Sequence, residues 1–348
     1  MHLRHSKKIA VEMNLKRAQV DAVGQLLDEG STIPFIARYR KEATGGLDEV
    51  ILASIRDSFN QLEALDQRRS AILKSLEENG HLSLELQEEI MAAQTLTQLE
   101  DLYLPFRPKR RTRATIAREK GLEPLAHALF AQEGQDPAKL AVDFIKPAED
   151  IDTIEKALKG ACDIIAEWIS EDPQARSRLR HLFHSKATLQ STVAKGKEEV
   201  GSKYRDYFDW QEPAKHAPSH RILAMRRGER QDILNLTLTP SSDDAIAILA
   251  SLFIRGEGED SRQVQMAISD GYKRLLARSM ETELRLDLKE RADRAAIKVF
   301  TENLRQLLLA APLGAKRVLA IDPGFKTGCK VVCLDNQGNF LANQTIYP

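Results

Sequence analysis

Apolar residues in this chain repeat at helical spacing as far as Ala311, and after Pro312 and Gly314 a spacing of two takes over from Lys316 onward. A chain divided in this way folds as a helical body followed by strands. The clearest helix carries Leu47, Ile51, Ile55, Phe59, Leu62 and Leu65, with Asp48 and Glu49 in its first turn and Gly80 beyond its end. A second starts at Asp152, which with Glu155 fits an N-terminal capping box, and carries Ile154, Leu158, Ala161, Ile165 and Trp168 on one stripe. Asp172-Pro173 stops it and starts the next helix, because proline suits a first helical position and not an interior one. Two further helices are predicted over Ser261–Ser279 and Glu281–Ala311. Between these groups, Glu229–Thr239 alternates apolar and polar residues and predicts a short strand near 231–239, with helix as the alternative.

Past Lys316 the pattern predicts strands over Val318–Ile321, Lys330–Leu334 and Phe340–Ile346, and Asp335-Asn336-Gln337-Gly338 suits a hairpin turn. Short sequential turns imply an antiparallel meander. The expected fold is mainly α, a multi-helical N-terminal region followed by this β-meander. Soft boundaries give segments 1–195, 196–314 and 315–348. A three-stranded sheet needs a covered apolar face, and the helix ending near Ala311 is the expected cover.

Composition narrows the function classes. The 348 residues are 42% hydrophobic and 29% charged, as in a soluble protein. Fifty-one basic residues balance fifty-one acidic ones, so only local clusters speak for a polyanionic partner. Aromatics at 5% argue against a broad stacking platform for bases. No secretory signal follows the cationic start, and the best apolar run, Ala245–Ile254, is about half the ~20 residues of a membrane span. Cys329 and Cys333, if on one strand, lie roughly 13 Å apart at ~3.3 Å per residue, too far to bridge. Reduced thiols and a cytoplasmic location are expected.

Two constellations carry candidate chemistry. In Arg317–Lys330 (RVLAIDPGFKTGCK), an apolar run ends on Asp322 and turns through Pro323-Gly324, which places a carboxylate at a strand tip. The competing reading, preferred for this chain, is a carboxylate that caps the turn. Lys326 and Lys330 are candidate phosphate contacts with solvated side chains as the default. The second constellation is Arg107, Lys109, Arg110, Arg111, Arg113 and Arg118, six basic residues before the first acid, Glu119. Four of them on phosphates would cost roughly 150-fold in affinity between 50 and 200 mM salt, at ~0.9 counterion per contact. The rival is a solvated loop, or arginines paired with acids on neighbouring helices. Arg38, Arg40 and Lys41 form a smaller patch, and Arg176, Arg178, Arg180 and Lys186 another; a solvated face is preferred for both. The phosphate-loop-like Gly196–Lys203 lacks a preceding strand, and His181/His184 and His216/His220 lack a completing ligand set.

Four blocks, Ile33–Glu49, Leu99–Ala126, Ile222–Glu229 and Arg317–Lys330, resemble in order and spacing the Tex family of transcription accessory proteins. The resemblance implies a helical region followed by an RNase H-like domain of the YqgF type, then helix-hairpin-helix and OB-type RNA-binding elements. This chain is expected to be a fragment that stops after the first three RNase H-like strands. By that resemblance Asp322 matches the first carboxylate of a divalent-metal site, and Mg²⁺ is expected only in a complete domain. The function expected is a non-enzymatic, nucleic-acid-binding scaffold acting with the transcription machinery, its partners RNA or DNA and RNA polymerase. The rivals are a metal-dependent nuclease or resolvase and a pure protein-interaction scaffold.

Overall fold

The computed structural model describes residues 4–324 and 328–347. Three helical cores follow one another along the chain, and the first is built by α1 (Ser6–Glu12), α2 (Arg17–Asp28), α3 (Ile33–Tyr39), α4 (Lys41–Thr44) and the start of α5 (Glu49–Glu78). Ile9, Val20, Val23, Ile36, Leu52, Ile55 and Phe59 fill it. The Asp48 carboxylate accepts the Ile51 amide proton at 2.8 Å and so supplies the N-terminal cap of α5. Because α5 is thirty residues long, it outruns this core and carries Leu65, Ile72 and Leu76 into the next. There α6 (Leu84–Ala92) and α7 (Leu96–Tyr103) close over them with Ile90, Leu99 and Tyr103.

The largest core runs from Ala114 to Ala292. It is built by α8 (Arg113–Glu119), α9 (Glu123–Ala131), α10 (Pro137–Val142), α11 (Ile154–Glu171), α12 (Pro173–Lys186), α13 (Ser219–Arg230), α14 (Ser242–Phe253), α15 (Glu259–Gly271) and the start of α16 (Ala277–Leu308). Helix α11 starts one residue later than its sequence suggests. The Thr153 hydroxyl, not Asp152, accepts the Lys156 amide and caps it. Asp172 caps α12 by accepting from the Ala175 amide at 2.7 Å, with Pro173 at the first helical position. The expected break near Met280 is absent: Tyr272–Leu276 form a π-helical turn that joins α15 to α16.

Set into this core is a three-stranded antiparallel sheet in the order β2 (Asp209–Pro213), β1 (Thr188–Val193), β3 (Leu234–Thr239). The strand predicted near 231–239 is β3, and Leu234, Leu236 and Leu238 point inward from it. Its partners escaped the sequence reading because Thr188–Val193 and Asp209–Pro213 are short and mostly polar. A division at 195–196 cuts through this sheet.

The C-terminal strands β4 (Val318–Gly324), β5 (Gly328–Leu334) and β6 (Phe340–Ile346) form the expected antiparallel meander in the order β4-β5-β6. The Asp335 carboxylate accepts the amide protons of Gln337 and Asn339, and Gly338 turns with φ +84°, so this hairpin is held by its aspartate. The expected cover does not form. Every residue of β6 is exposed, and so are Leu304, Leu307 and Leu308 at the end of α16.

Candidate nucleic-acid interface

The segment between Phe106 and α8 is not helical at its start, because Arg107 precedes Pro108, whose ring disfavours helical backbone before it, and Arg107 is extended with ψ 133°. It therefore crosses the surface as a loop until Thr112, whose hydroxyl accepts the Thr115 amide at 3.0 Å and starts α8. The same hydroxyl oxygen lies 3.0 Å from Glu167 Oε1, to which it donates. Glu167 and Glu171 stand one turn apart on α11 and anchor the loop from below. Lys109 Nζ lies 2.5 Å from Glu171 and 3.5 Å from Glu167. Arg118 reaches Glu167 at 2.6 Å and Glu123 at 3.2 Å, while Arg111 pairs with Glu119 at 2.8 Å.

The six sequence candidates thus divide. Lys109, Arg111 and Arg118 are ion-paired, as the rival reading anticipated. The side chains of Arg107, Arg110 and Arg113 are exposed and make no ion pair or hydrogen bond among the described residues, although the Arg113 charge acts on the nearby Asp163 carboxylate. Arg107 lines a cleft of about 610 Å³ with Glu100, Asp101 and Arg176, whereas Arg113 lines another of about 410 Å³ with Cys162 and Asp163. Arg107 and Arg113 thus stand at two clefts, with Arg110 on the loop between them.

The two anchoring carboxylates respond differently to burial. For Glu167, burial opposes ionisation, but the Arg118 hydrogen bond and the charges of Lys109 and Arg118 outweigh it and hold the carboxyl below its usual range. For Glu171, burial prevails over Lys109 and pushes the carboxyl up. The sequence did hold a signal for Glu167. An acid inside Ile164-Ile165-Ala166-Glu167-Trp168-Ile169 sits in a run too apolar for a solvated carboxylate, and such a group needs a cationic partner.

One of the two minor patches is not solvated as expected. Arg176 is only 7% exposed, because it and Arg180 both bond to Asp101 and Glu283. Their role is to join α7, α12 and α16. Arg178 remains exposed and Lys186 pairs with Asp244 at 2.8 Å on the surface. Arg38, Arg40 and Lys41 are exposed, as expected.

Asp322 lies within β4 instead of at its tip, since Pro323 and Gly324 continue the strand opposite Cys329 and Gly328. It is exposed and its cross-strand partner is Lys330. Lys326 falls outside the described residues. Among the described residues no three histidines, cysteines or carboxylates are grouped to hold a metal ion. The donor set that the resemblance implies around Asp322 is thus not supplied by these residues.

Comparison with known proteins gives three matches in chain order. Residues 3–77 match a Tex-like protein N-terminal domain, 132–300 a Tex central region-like domain, and 316–348 a Tex protein YqgF-like domain. The chain is 42% identical to the Bordetella pertussis protein tex, over all of this chain and 46% of that protein. It is likewise 42% identical to the Escherichia coli protein YhgF, over 98% of this chain and 45% of that one. A more distant relative is the human S1 RNA-binding domain-containing protein 1, at 26% identity over 99% of this chain and 37% of the relative. The chain spans about half the length of the bacterial relatives it matches. With three family models in order and this identity along its length, the chain belongs to the Tex family.

Proposed function

We propose that the chain is the helical, nucleic-acid-binding part of a transcription accessory protein, and that it contacts the phosphate backbone without reading sequence. Its role is binding, not catalysis, and it acts in the cytoplasm alongside the transcription machinery, RNA polymerase included. The observation that carries the reading is the row of Arg107, Arg110 and Arg113, the first two on the loop and the third at the start of α8. Their side chains are exposed and make no ion pair among the described residues, on a segment pinned by Lys109 and Arg118 to the buried Glu167 and the half-buried Glu171. Pinning lowers the ordering cost of binding. The names of two relatives add support, since one is a "Transcriptional accessory protein Tex" from Neisseria gonorrhoeae and another carries "S1 RNA-binding" in its name.

Three phosphate contacts on a single strand, at ~0.7 counterion each, give about an 18-fold loss of affinity between 50 and 200 mM salt. This is a smaller dependence than six, or even four, contacts would produce. The test is a salt titration of binding to a mixed-sequence RNA, by fluorescence anisotropy, for the wild-type chain and for Arg107→Glu/Arg110→Glu/Arg113→Glu. The triple variant is expected to lose most binding and most of the salt dependence. An unaltered salt slope in that variant would sink the assignment.

A further inference from the structure

The other exposed basic patch differs from the loop in carrying aromatic rings. Helix α3 is short because Pro34 opens it and Arg40 leaves helical geometry at its end. Ile36 and Ala37 are buried on one side, and Phe35 and Tyr39, four residues apart, share the opposite, solvent-facing side. Their ring centroids are 5.4 Å apart at an interplanar angle of 45°. The Arg40 guanidinium sits 5.1 Å from the Phe35 centroid, and its Nη1 donates to the Tyr39 carbonyl at 3.1 Å, which holds it beside the Phe35 ring. Arg38 and Lys41 are exposed and make no ion pair among the described residues. Within residues 33–44 there are three cations and a single carboxylate, Glu42.

The platform is held from behind. The buried Thr44 hydroxyl donates to the Arg40 carbonyl at 3.2 Å, the Gln19 amide donates to the Thr44 carbonyl at 3.1 Å, and Gly45 ends the segment with φ +68°. Rings that sit in water beside unpaired cations do not suit an apolar protein surface, which would leave Arg38 and Lys41 desolvated without partners. They suit a ligand that offers flat faces and negative charge together. In a duplex the base faces are stacked on one another and out of reach, whereas a single strand presents them alongside its phosphates.

We propose that α3 is a base-stacking site for single-stranded nucleic acid, with Tyr39 and Phe35 taking the bases and Arg38, Arg40 and Lys41 the adjoining phosphates. The inference rests on the reading of the chain as a nucleic-acid binder, and it adds a contact that distinguishes single strands from duplexes. The basic loop, by contrast, serves any phosphate backbone.

The test compares fluorescein-labelled U12 with a 12-base-pair RNA duplex, by anisotropy on the whole chain, for the wild type, Phe35→Ala/Tyr39→Ala, and Tyr39→Phe. Stacking on aromatic side chains predicts at least about a fivefold loss of U12 affinity for each ring removed. Duplex affinity and the salt slope stay at wild-type values, and Tyr39→Phe, which keeps the ring, binds like wild type. A U12 carrying 4-thiouridine is expected to cross-link on irradiation to the peptide containing residues 33–41. Unchanged U12 affinity in the double variant overturns the proposal and leaves α3 as a protein-docking or solvated face. Equal losses on U12 and duplex, or no cross-link in that peptide, overturn it too. If wild type binds neither probe, the broader reading fails with it; if only the loop variant behaves like wild type, the loop assignment alone fails.

Discussion

Nε of Arg176 and Oδ1 of Asp101 meet at 2.6 Å although the two residues are 75 positions apart in the chain. Arg180 holds the other oxygen of the same carboxylate at 2.9 Å, and both arginines hold Glu283, at 2.6 and 2.8 Å. Two arginines and two carboxylates thus close a ring among α7, α12 and α16, and Asp101, Arg176 and Glu283 of that ring line the cleft that also contains Arg107. The N-terminal helices are tied to the central core through charge as well as apolar packing.

Asp101 is therefore expected to matter far more than its neighbour. Asp101→Ala leaves Arg176 buried without its carboxylate and should lower the unfolding free energy by about 3 kcal/mol in urea denaturation. Glu100→Ala removes only the half-exposed partner of Arg68 and should cost less than about 1 kcal/mol. Equal effects from the two would mean that the ring does not join the helices.

The loop anchor is sensitive to acid. The Glu167 carboxyl is held below its ordinary value near 4.5, so its contribution is fully present above that pH and is lost as pH falls through the lower folded value. Thermal melts from pH 7 down to 3 should show a decline below about 4.5 that is shallower in Glu167→Gln. An identical decline in both proteins would remove Glu167 from the anchor.

Helix α15 meets α11 closely at Gly271, where an added Cβ would lie 3.2 Å from the Ala166 carbonyl oxygen and 3.3 Å from its Cα. Backbone cannot swing aside as a side-chain tip can. Gly271→Val should destabilise the chain by about 2 kcal/mol through overpacking, and a wild-type urea midpoint would show that the helices separate freely.

Burial, reinforced by Asp163 and Asp270, pushes the Cys162 thiol up to about 12. At pH 8 its thiolate fraction is then roughly a thousandfold below that of an ordinary cysteine near 8.5. Iodoacetamide labelling followed by peptide mass analysis should find Cys162 at least about 100-fold slower in the folded chain than in urea. Comparable rates would show that the pocket beside Arg113 opens readily.

Much of the architecture was legible because periodicity is a local property. Asp48, Asp172 and Pro173 mark helix ends through contacts with residues three or fewer positions away, and the change at Pro312 separates helix from meander. What the sequence withheld were pairings across long separations. Nothing near Arg176 names Asp101 as its partner, so a run of arginines on α12 read as solvated while two of them are internal. The same blindness affected the loop, where Lys109 and Arg118 find their acids about fifty residues on, at Glu167. The π-helical turn also escaped, since one extra residue shifts helical phase without any breaker to announce it. Phe35 and Tyr39 did not stand out in the sequence, and packing shows that their side of α3 faces water.

The unbroken run from Glu259 to Leu308 has a mechanical consequence. Its last buried residue is Ala292, and the sixteen residues beyond it extend about 24 Å at 1.5 Å per residue. A lever of that length turns a 10° rocking at the core into about 4 Å of travel at its tip. The ring of Arg176, Asp101, Arg180 and Glu283 holds the packed base of this arm, since Glu283 lies on α16 about 13 Å before Ala292 at 1.5 Å per residue.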